Sequence, residues 1–461
     1  MASETAAPAP QLTWRFPRTF WFANAAELCE RAAYYGMFIT LVRYLNIDIG
    51  FSDVEAGWLT GAFASILYFL PTFMGILADK VGFRRALVLA FTLLTVGYAL
   101  LGTFQLKFTA VLALAVIMVG GAIVKPVISG TAAKCSDSAH RARAMSIFYA
   151  IVNIGSFSGK GLAGVLNERL GLEQINYYAA GMSLVALLVT AIFYRNVDAA
   201  GTGKTLAQAA RGLLRVLANI RFLSLIVIVA GFWAIQGQLY ASMPTYVERM
   251  LGKGYKPEWL ANINPLIVVL LVVPITHMVR RLRPESSIGI ALLIIPFTAL
   301  VIALNPVLAA LTGGPLHVGG LVLPPLIVTF VIGIGLQGLA ECFLSPKFYE
   351  FTSKQAPPGE VGLYMGYQSL TQFFAQLFAF VLSGYLLRGY CPDPQKLPEA
   401  VRQQWQAALA GQGPMPAAYA HAHYLWYAFA GVGVAAFLAL LAFKYVTWSI
   451  DRRRAARSAP P

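Results

Sequence analysis

The sequence contains few charged residues for its length. Asp, Glu, Lys and Arg make up 12% of the 461 residues, whereas hydrophobic residues make up 58% and the mean hydropathy is +0.65. Soluble domains carry roughly 25% charged residues. The low charge content therefore excludes an ordinary soluble domain and predicts a membrane protein.

Cysteine is scarce as well. Cys29, Cys135, Cys342 and Cys391 have neither metal-ligand spacing nor the pattern of a disulfide framework. Three of the four lie in or beside apolar segments, where a small buried side chain is the simplest interpretation. No nucleophile–base pair and no metal cluster is recognisable, so we expect no enzyme activity, no catalytic residue, no metal and no organic cofactor. The segment before residue 19 has no apolar core, which predicts no cleaved signal peptide.

Long apolar segments are abundant. A membrane-spanning helix needs about 20 predominantly apolar residues, and several segments here are interrupted by Gly, Pro or polar residues, as in transporters. The fold class predicted is an all-α membrane protein. Its twelve transmembrane helices are expected at residues 19–45, 54–78, 86–104, 108–133, 144–166, 175–195, 222–247, 259–279, 287–311, 321–346, 362–388 and 422–448.

Basic residues outnumber acidic ones, 35 to 20, and they concentrate in alternate loops. With the N-terminus in the cytoplasm, most Lys and Arg fall in inside segments, as the positive-inside rule requires. We therefore expect a multi-pass protein of the bacterial inner membrane with both termini in the cytoplasm. The basic tail DRRRAAR is then an orientation signal that faces anionic lipid, and no nucleic-acid partner is expected.

The longest inside segment divides the spans into six and six. We predict an N-terminal six-helix bundle at residues 1–195, a cytoplasmic linker at 196–221 and a C-terminal six-helix bundle with a short basic tail at 222–461. The linker contains LAQAARGLLRVLANIRF, which is compatible with a basic amphipathic helix on the inner leaflet and also with an ordinary solvated connection.

The first span carries a cluster of ionisable residues in the string ELCERAAYYG. Glu27, Glu30 and Arg31 are separated by helical intervals, so they share one helix face with Tyr34 and Tyr35. A charged side chain at the membrane centre costs about 2.5–3.5 kcal/mol on insertion scales. Such a cluster is expected to face an internal cavity and to have a function there.

The connection after the second span reads GILADKVGFRR. It places an acid, a tight turn and a basic pair between two helices, and charge pairing can hold such helices together in one conformation and release them in another. The pattern resembles the loop of the major facilitator superfamily, whose fold is two six-helix bundles around a central cavity. A merely basic loop would not explain the acid or the glycines. The loop residues are Gly75, Asp79, Gly82, Arg84 and Arg85.

Six segments resemble one family within that superfamily. ELCERAAYYG is similar to the ExxER-x-x-YYG segment of the proton-dependent oligopeptide transporter (POT) family. The other matches, which occur in the family's order in both halves, are Tyr68, GGAIVKPVISG in the fourth span, FYAIVNIGSF in the fifth, INPLIVVLLVVP in the eighth, and Glu341 with the following LSP in the tenth.

The resemblance implies that the substrate is a short peptide, which is a zwitterion. Arg31 and Lys125 suit its carboxylate, and Glu341 in the opposite half suits its amino terminus. A permissive pocket would make few specific contacts with the peptide side chains, which gives broad selectivity. The other predicted substrate-binding residues are amides and tyrosines, namely Asn153, Asn264, Tyr34, Tyr35 and Tyr68.

These residues also have simpler structural explanations. The tyrosines could be ordinary core aromatics, Asn264 could satisfy the backbone group left by Pro265, and Asn153 could join two helices. A structural ion pair would account for Lys125 and Glu341.

Glu27, Glu30 and Glu341 are expected to share proton coupling. A carboxylate in a low-dielectric cavity binds a proton more readily, and a nearby cation opposes this. If a peptide carboxylate takes over Arg31 or Lys125, a glutamate loses its counter-charge and binds a proton, so substrate and proton favour each other. Protons are therefore the expected coupling ion.

The sequence also departs from the family. Phe38 and Gly237 stand where an arginine and a glutamate often form the outer gate, so we expect other contacts there, with Gln236 or Gln238 as candidates. Gln368 replaces a tryptophan in the eleventh span. Lys160 is compatible with lining the pathway and with reaching toward an interface.

These observations predict a proton-coupled symporter that imports di- and tripeptides by alternating access. Its partners would be short peptides, protons and membrane lipids, and we expect a monomer. One alternative is a facilitator for another small zwitterion or a drug. The other is a non-transporting peptide sensor.

Overall fold

The computed structural model describes residues 15–137, 140–195, 205–318, 320–356 and 361–458. These residues form twenty α-helices and one short hairpin. In chain order they are α1 (Arg18–Ile47), α2 (Asp53–Phe69), α3 (Pro71–Val81), α4 (Phe83–Thr103), α5 (Lys107–Lys134), α6 (Arg141–Leu170), α7 (Glu173–Phe193), α8 (Leu206–Ala218), α9 (Ile220–Gln236), α10 (Gln238–Ala241), α11 (Met243–Leu251), α12 (Pro257–Leu260), α13 (Ile263–Met278), α14 (Pro284–Ala303), α15 (Asn305–Thr312), β1 (Leu316–Val318), β2 (Leu321–Leu323), α16 (Pro325–Gln355), α17 (Val361–Tyr367), α18 (Leu370–Tyr390), α19 (Glu399–Leu409) and α20 (Tyr424–Ser458).

Nine helical segments of the described chain are long and apolar enough to cross a membrane, and the bent pair α2–α3 makes ten. The other two predicted spans correspond to α1 and α6. Each has 30 residues, which suffices at a rise of about 1.5 Å per residue. Helix α1 contains Glu27, Glu30 and Arg31, and α6 contains Asn153 and Lys160, and these polar residues lower the mean hydropathy of both helices.

Several spans are broken. The second span bends by 51° between α2 and α3, where Pro71 lacks the N–H that would continue the helix. The seventh span consists of α9, α10 and α11, with breaks at Gly237 and at Ser242. The start predicted for the tenth span was wrong, because Leu321–Leu323 pairs with Leu316–Val318 as a hairpin and the helix begins at Pro325.

Helix packing brings the N-terminal and C-terminal parts of the chain together along several seams. Helix α1 packs on α6 and α7, and α4 packs on α5 and α7, whereas α14 packs on α16 and α20 and α9 packs on α18 and α20. Between these two sets, α2 crosses α18, α6 meets α12, and α1 contacts α10 and α11. The bundle boundaries at residues 195 and 222 stay a prediction.

The crossing of α2 and α18 leaves no room for side chains at its centre. A Cβ atom on Gly57 would lie 2.5 Å from the Phe380 carbonyl oxygen, and one on Gly384 would lie 2.5 Å from the Asp53 carbonyl oxygen. Small residues let two membrane helices approach at the backbone, which strengthens their packing.

The connection between the two sets of spans contains an ordered helix, α8. It begins with a capping box in which Thr205 and Gln208 satisfy each other's backbone N–H groups. The Tyr367 hydroxyl donates to the Ala209 carbonyl at 2.5 Å, which ties α8 to α17. Leu214 on the opposite side is 66% exposed. The first part of the predicted linker, 196–204, lies outside the described residues.

Candidate functional site

The ionisable residues of α1 form one buried cluster. Arg31 donates through Nε to Glu30, and the same atom lies 3.2 Å from a carboxylate oxygen of Glu27. The two glutamates are 1% and 2% exposed, and the second oxygen of Glu27 has no hydrogen-bond partner in the described part of the chain. Lys125 is the next cation whose charge acts on both. One guanidinium therefore balances the charge of two carboxylates, and the unpartnered oxygen of Glu27 can bind a proton.

Two glycines hold α6 against this cluster. A Cβ atom on Gly155 would lie 2.6 Å from the Arg31 Cβ, and one on Gly159 would lie 2.3 Å from the Ala32 carbonyl oxygen. The glycines of the string NIGSFSG are therefore explained by packing. Asn153, two residues before Gly155, donates to the Tyr149 carbonyl at 2.8 Å within its own helix. No hydrogen bond of its side chain to another helix is found in the described structure.

The aromatic residues of the predicted site lie beside its cations. The Arg31 guanidinium carbon is 5.6 Å from the Tyr34 ring centre, and the Lys125 ammonium is 5.7 Å from the Tyr68 ring centre, both within cation–π range. Lys125 is exposed although it lies well inside α5, and Tyr149 is 56% exposed. These exposures indicate an open, accessible space next to the α1 cluster.

Glu341 is held by two amides from other helices. Its Oε2 accepts from Gln236 Nε2 at 2.5 Å and from Asn264 Nδ2 at 3.4 Å. Helix α13 begins at Ile263, so Pro265 lies in its first turn. Backbone N–H groups there have no acceptor within the helix, so the missing N–H of proline breaks no hydrogen bond. Asn264 thus contacts the acid instead of repairing the backbone. No cation of the described chain lies within 4 Å of Glu341, so a cationic ligand can still bind there.

Phe38 packs among aromatic rings at the position where the family often has an arginine–glutamate ion pair. The Phe38 ring centre lies 5.2 Å from that of Tyr34, 5.1 Å from that of Tyr240 and 5.6 Å from that of Phe380. A Cβ atom on Gly237 would lie 3.2 Å from the Ala379 Cβ. This part of the seam is therefore apolar and tightly filled.

The expected part of Gln236 or Gln238 in closure stays a prediction. Gln236 donates to Glu341, whereas Gln238 donates to the Ala234 carbonyl of its own span and to the Ala379 carbonyl of α18. The chain closes one end of the molecule with two other buried networks, which we call the gate. Their contacts join α1 and α2 to α11 and α12.

In the first network, Arg43 donates to Glu258 and to Glu248, the latter at 3.2 Å. In the second, both oxygens of Asp53 accept from Arg249, at 3.0 Å and 2.7 Å. Charged residues are ordinary at span ends, so nothing in the sequence distinguished these five. A cavity of about 240 Å³ adjoins the gate and is lined by both arginines.

The predicted loop of the superfamily lies at the other end of the molecule. Gly82, with φ of 92°, forms the single-residue connection between α3 and α4, a conformation that suits glycine. Asp79 lies 3.9 Å from Lys134, and Arg84 donates to the Ala191 carbonyl at 2.5 Å. Gly75 packs near Pro126, and Arg85 is exposed. The loop thus joins α3 and α4 to α5 and α7, and Lys134 is a partner that the sequence did not reveal.

Gln368 and Lys160, two unusual residues noted in the sequence, are both buried. Gln368, between α17 and α18, is 8% exposed. Lys160 is 1% exposed and donates to the Ala261 carbonyl at 3.3 Å, so it does not extend to an interface with lipid or water.

Comparison with known proteins agrees with the fold. Residues 25–323 match the family model described as Major Facilitator Superfamily. Dipeptide and tripeptide permease B of Photorhabdus asymbiotica is 33% identical over 184 residues, which cover 39% of this chain and 37% of that protein. Dipeptide and tripeptide permease A of Citrobacter koseri is 24% identical over 80% of this chain and 84% of that protein. The chain aligns with less than two fifths of the length of the permease B relatives.

Solved structures show the same fold over nearly the whole chain. Peptide transporter POT, solved as a variant in complex with alafosfalin, has a TM-score of 0.73 and 22% identity, covering 96% of this chain and 97% of that chain. The POT family transporter PepTSo has a TM-score of 0.70 and 18% identity, covering 94% and 98%.

The helical architecture and the Asp79 loop are those of a multi-pass membrane transporter fold, and the chain belongs to the Major Facilitator Superfamily. Within that superfamily, the resemblance to the POT family that the motifs predicted is confirmed by these relatives and structures.

Proposed function

We propose that the protein is a proton-coupled symporter that imports di- and tripeptides by alternating access. One observation carries the proposal: the two parts of the chain present opposite charges of the kind a peptide needs. Arg31 and the exposed Lys125 lie in one part, and Glu341, which has no cation within 4 Å in the described structure, lies in the other. A carboxylate would bind the first pair, and an ammonium would bind Glu341.

Proton coupling is proposed for the glutamates of the α1 cluster and for Glu341. Arg31 contacts both glutamates through Nε, and a peptide carboxylate would compete with them for the guanidinium. A bound carboxylate would weaken the attraction between Arg31 and its own glutamates, and one of these buried acids would then take up a proton. The peptide and the proton would thereby bind together.

The closed gate and the exposed residues at the Asp79 side support alternating access. Buried ion pairs close the end that contains Arg43 and Asp53, whereas Lys125 and Tyr149 are exposed toward the other. We propose that the gate end faces the periplasm of a bacterial inner membrane, that both termini are cytoplasmic, and that the protein acts as a monomer without a resident cofactor.

A second candidate is a transporter of another small zwitterion. A POT family transporter in complex with 5-aminolevulinic acid has the same fold, with a TM-score of 0.69 at 16% identity. Such a cargo also has one carboxylate and one ammonium, and would use the same two charged regions.

The decisive experiment is uptake of labelled alanylalanine into proteoliposomes with an imposed inward proton gradient. We expect accumulation above equilibrium, competition by tripeptides, and none by free amino acids. Competition by free amino acids or 5-aminolevulinic acid in place of peptides would favour the second candidate, and binding without transport would favour a sensor.

Proton coupling is tested with Glu30→Gln in the same vesicles. We expect accumulation to lose its dependence on the proton gradient, because the amide cannot take up the proton, while peptide counterflow survives. Glu399→Gln on the exposed part of α19 is the control. Gradient-driven accumulation by Glu30→Gln at the wild-type level would contradict the role of Glu30.

A further inference from the structure

Lys160 is a buried lysine that the proposed peptide site does not use. Its side chain is 1% exposed, yet no carboxylate of the described chain lies within the 4 Å of a salt bridge. Its ammonium position is 5.9 Å from the Tyr35 ring centre and 6.0 Å from that of Tyr240, at the outer limit of cation–π contact. Within the described part of the chain, its one hydrogen bond goes to the Ala261 carbonyl at 3.3 Å.

These contacts suit a neutral amine better than an ammonium. An ammonium has three donors and is strongly hydrated in water, and here one carbonyl replaces that hydration. Among the described residues, the titratable groups that face Lys160 are Tyr35 from α1, Tyr240 from α10 and Glu341 from α16, and Glu341 is the one acid whose charge acts on it.

The position of Lys160 links its burial to the closed gate. It lies where α6 meets α12, a seam between the two parts of the chain. Farther along α6, a Cβ atom on Gly164 would lie 2.7 Å from Trp259 Nε1, and Glu168, 53% exposed, binds Lys256 at 2.5 Å. Eight residues separate Lys160 from Glu168, a distance of about 12 Å along the helix. Opening this seam would admit water to Lys160 from the gate end.

We propose that Lys160 is a proton carrier of the transport cycle, protonated when the α6–α12 seam is open and neutral when the seam is closed. This inference rests on the proposed function. In the open state, water at the gate end supplies a proton to the Nζ lone pair. When the seam closes, the N–H bond breaks, the amine keeps the electron pair, and the proton is relayed through water to the Glu341 carboxylate, which lies beyond direct contact with Nζ. Glu341 then releases it to water at the Asp79 end.

The test compares proton and peptide fluxes in proteoliposomes with wild-type protein and Lys160→Met, using a pH-sensitive dye and labelled alanylalanine. We expect Lys160→Met to transport one proton fewer per peptide, while counterflow stays within about twofold of wild type, because methionine fills the same space without a titratable group. Lys107→Met at an exposed ion pair is the control, and we expect its ratio to equal that of wild type.

Lys160→Arg provides an independent readout. Arginine stays charged, so closing the seam would bury a permanent cation, and we expect counterflow to fall at least tenfold. If Lys160→Met does not fold, Lys160→Gln serves in the same ratio measurement. An unchanged proton-to-peptide ratio in the neutral variant overturns the inference, as does normal counterflow by Lys160→Arg. If the wild-type protein shows no proton-driven peptide uptake, the proposed function itself fails.

Discussion

Phe38 shows how one residue changes the chemistry of a seam. Its ring packs against Tyr34 of its own helix and against Tyr240 and Phe380 from the other part of the chain. Aromatic pairs at these distances contribute about 0.5–1.5 kcal/mol each beyond the area they bury. The aromatic cluster thus stabilises the closed seam without charge, and the ion pairs of the gate lie elsewhere.

We predict that Phe38→Arg destabilises the protein by several kcal/mol, because it buries a cation without an acid partner. Phe38→Leu loses the three ring contacts but keeps an apolar side chain and buries no charge, so it should lower the melting temperature less than Phe38→Arg does. Thermal unfolding in detergent, followed by intrinsic fluorescence, measures both. Equal melting temperatures for Phe38→Arg and wild type would show that the cluster tolerates charge.

At the scale of elements, the contact of α2 with α18 depends on the absence of side chains. Gly57 and Gly384 let the two backbones meet, and the Asp53–Arg249 pair lies at the gate end of the same crossing. The helices that close the gate are therefore positioned by packing at glycine, and the ion pair then fixes their ends.

We predict opposite effects for two glycine substitutions in α18. Gly384→Ala places its Cβ 2.5 Å from a backbone oxygen of α2, so the helices must separate and the melting temperature should fall by several degrees. Gly389→Ala meets no described atom within 4 Å and should be neutral or stabilising, since alanine favours a helix by about 1 kcal/mol over glycine. Equal melting temperatures for the two variants would contradict the tight crossing.

For the whole molecule, the described structure is closed at the gate end. Cys391 reports on this state, because it is fully buried behind the gate and its carbonyl accepts from Arg249 at 2.6 Å. Burial raises the pKa of the Cys391 thiol to about 12. The reactive thiolate is therefore almost absent at neutral pH while the gate stays closed.

We predict that Asp53→Asn opens the gate, because it leaves the buried Arg249 without its acid. Labelling of Cys391 by an impermeant maleimide at pH 7.5 should accelerate at least tenfold, measured in a background with the other three cysteines replaced by serine. Glu55→Gln, at an exposed pair on the same helix, is the control. Equal labelling rates in Asp53→Asn and in this background would show that the pair does not hold the gate.

Much of the site could be predicted because it depends on local patterns. Glu27, Glu30 and Arg31 meet through helical spacing alone, and the structure pairs them as that spacing requires. The role of Gln236 could not be predicted, because its contact with Glu341 joins residues 105 positions apart. The transport roles of all these residues stay predictions until they are measured.

The sequence by itself determined the membrane setting, the helical fold and the location of the α1 cluster, since hydropathy and helical periodicity act over a few turns. Only the tertiary structure decided which charges meet across the seams. Arg43 meets Glu258, and Asp53 meets Arg249, over about 200 intervening residues. A burial pattern along one helix cannot specify such partners, because they depend on how the two parts of the chain pack together.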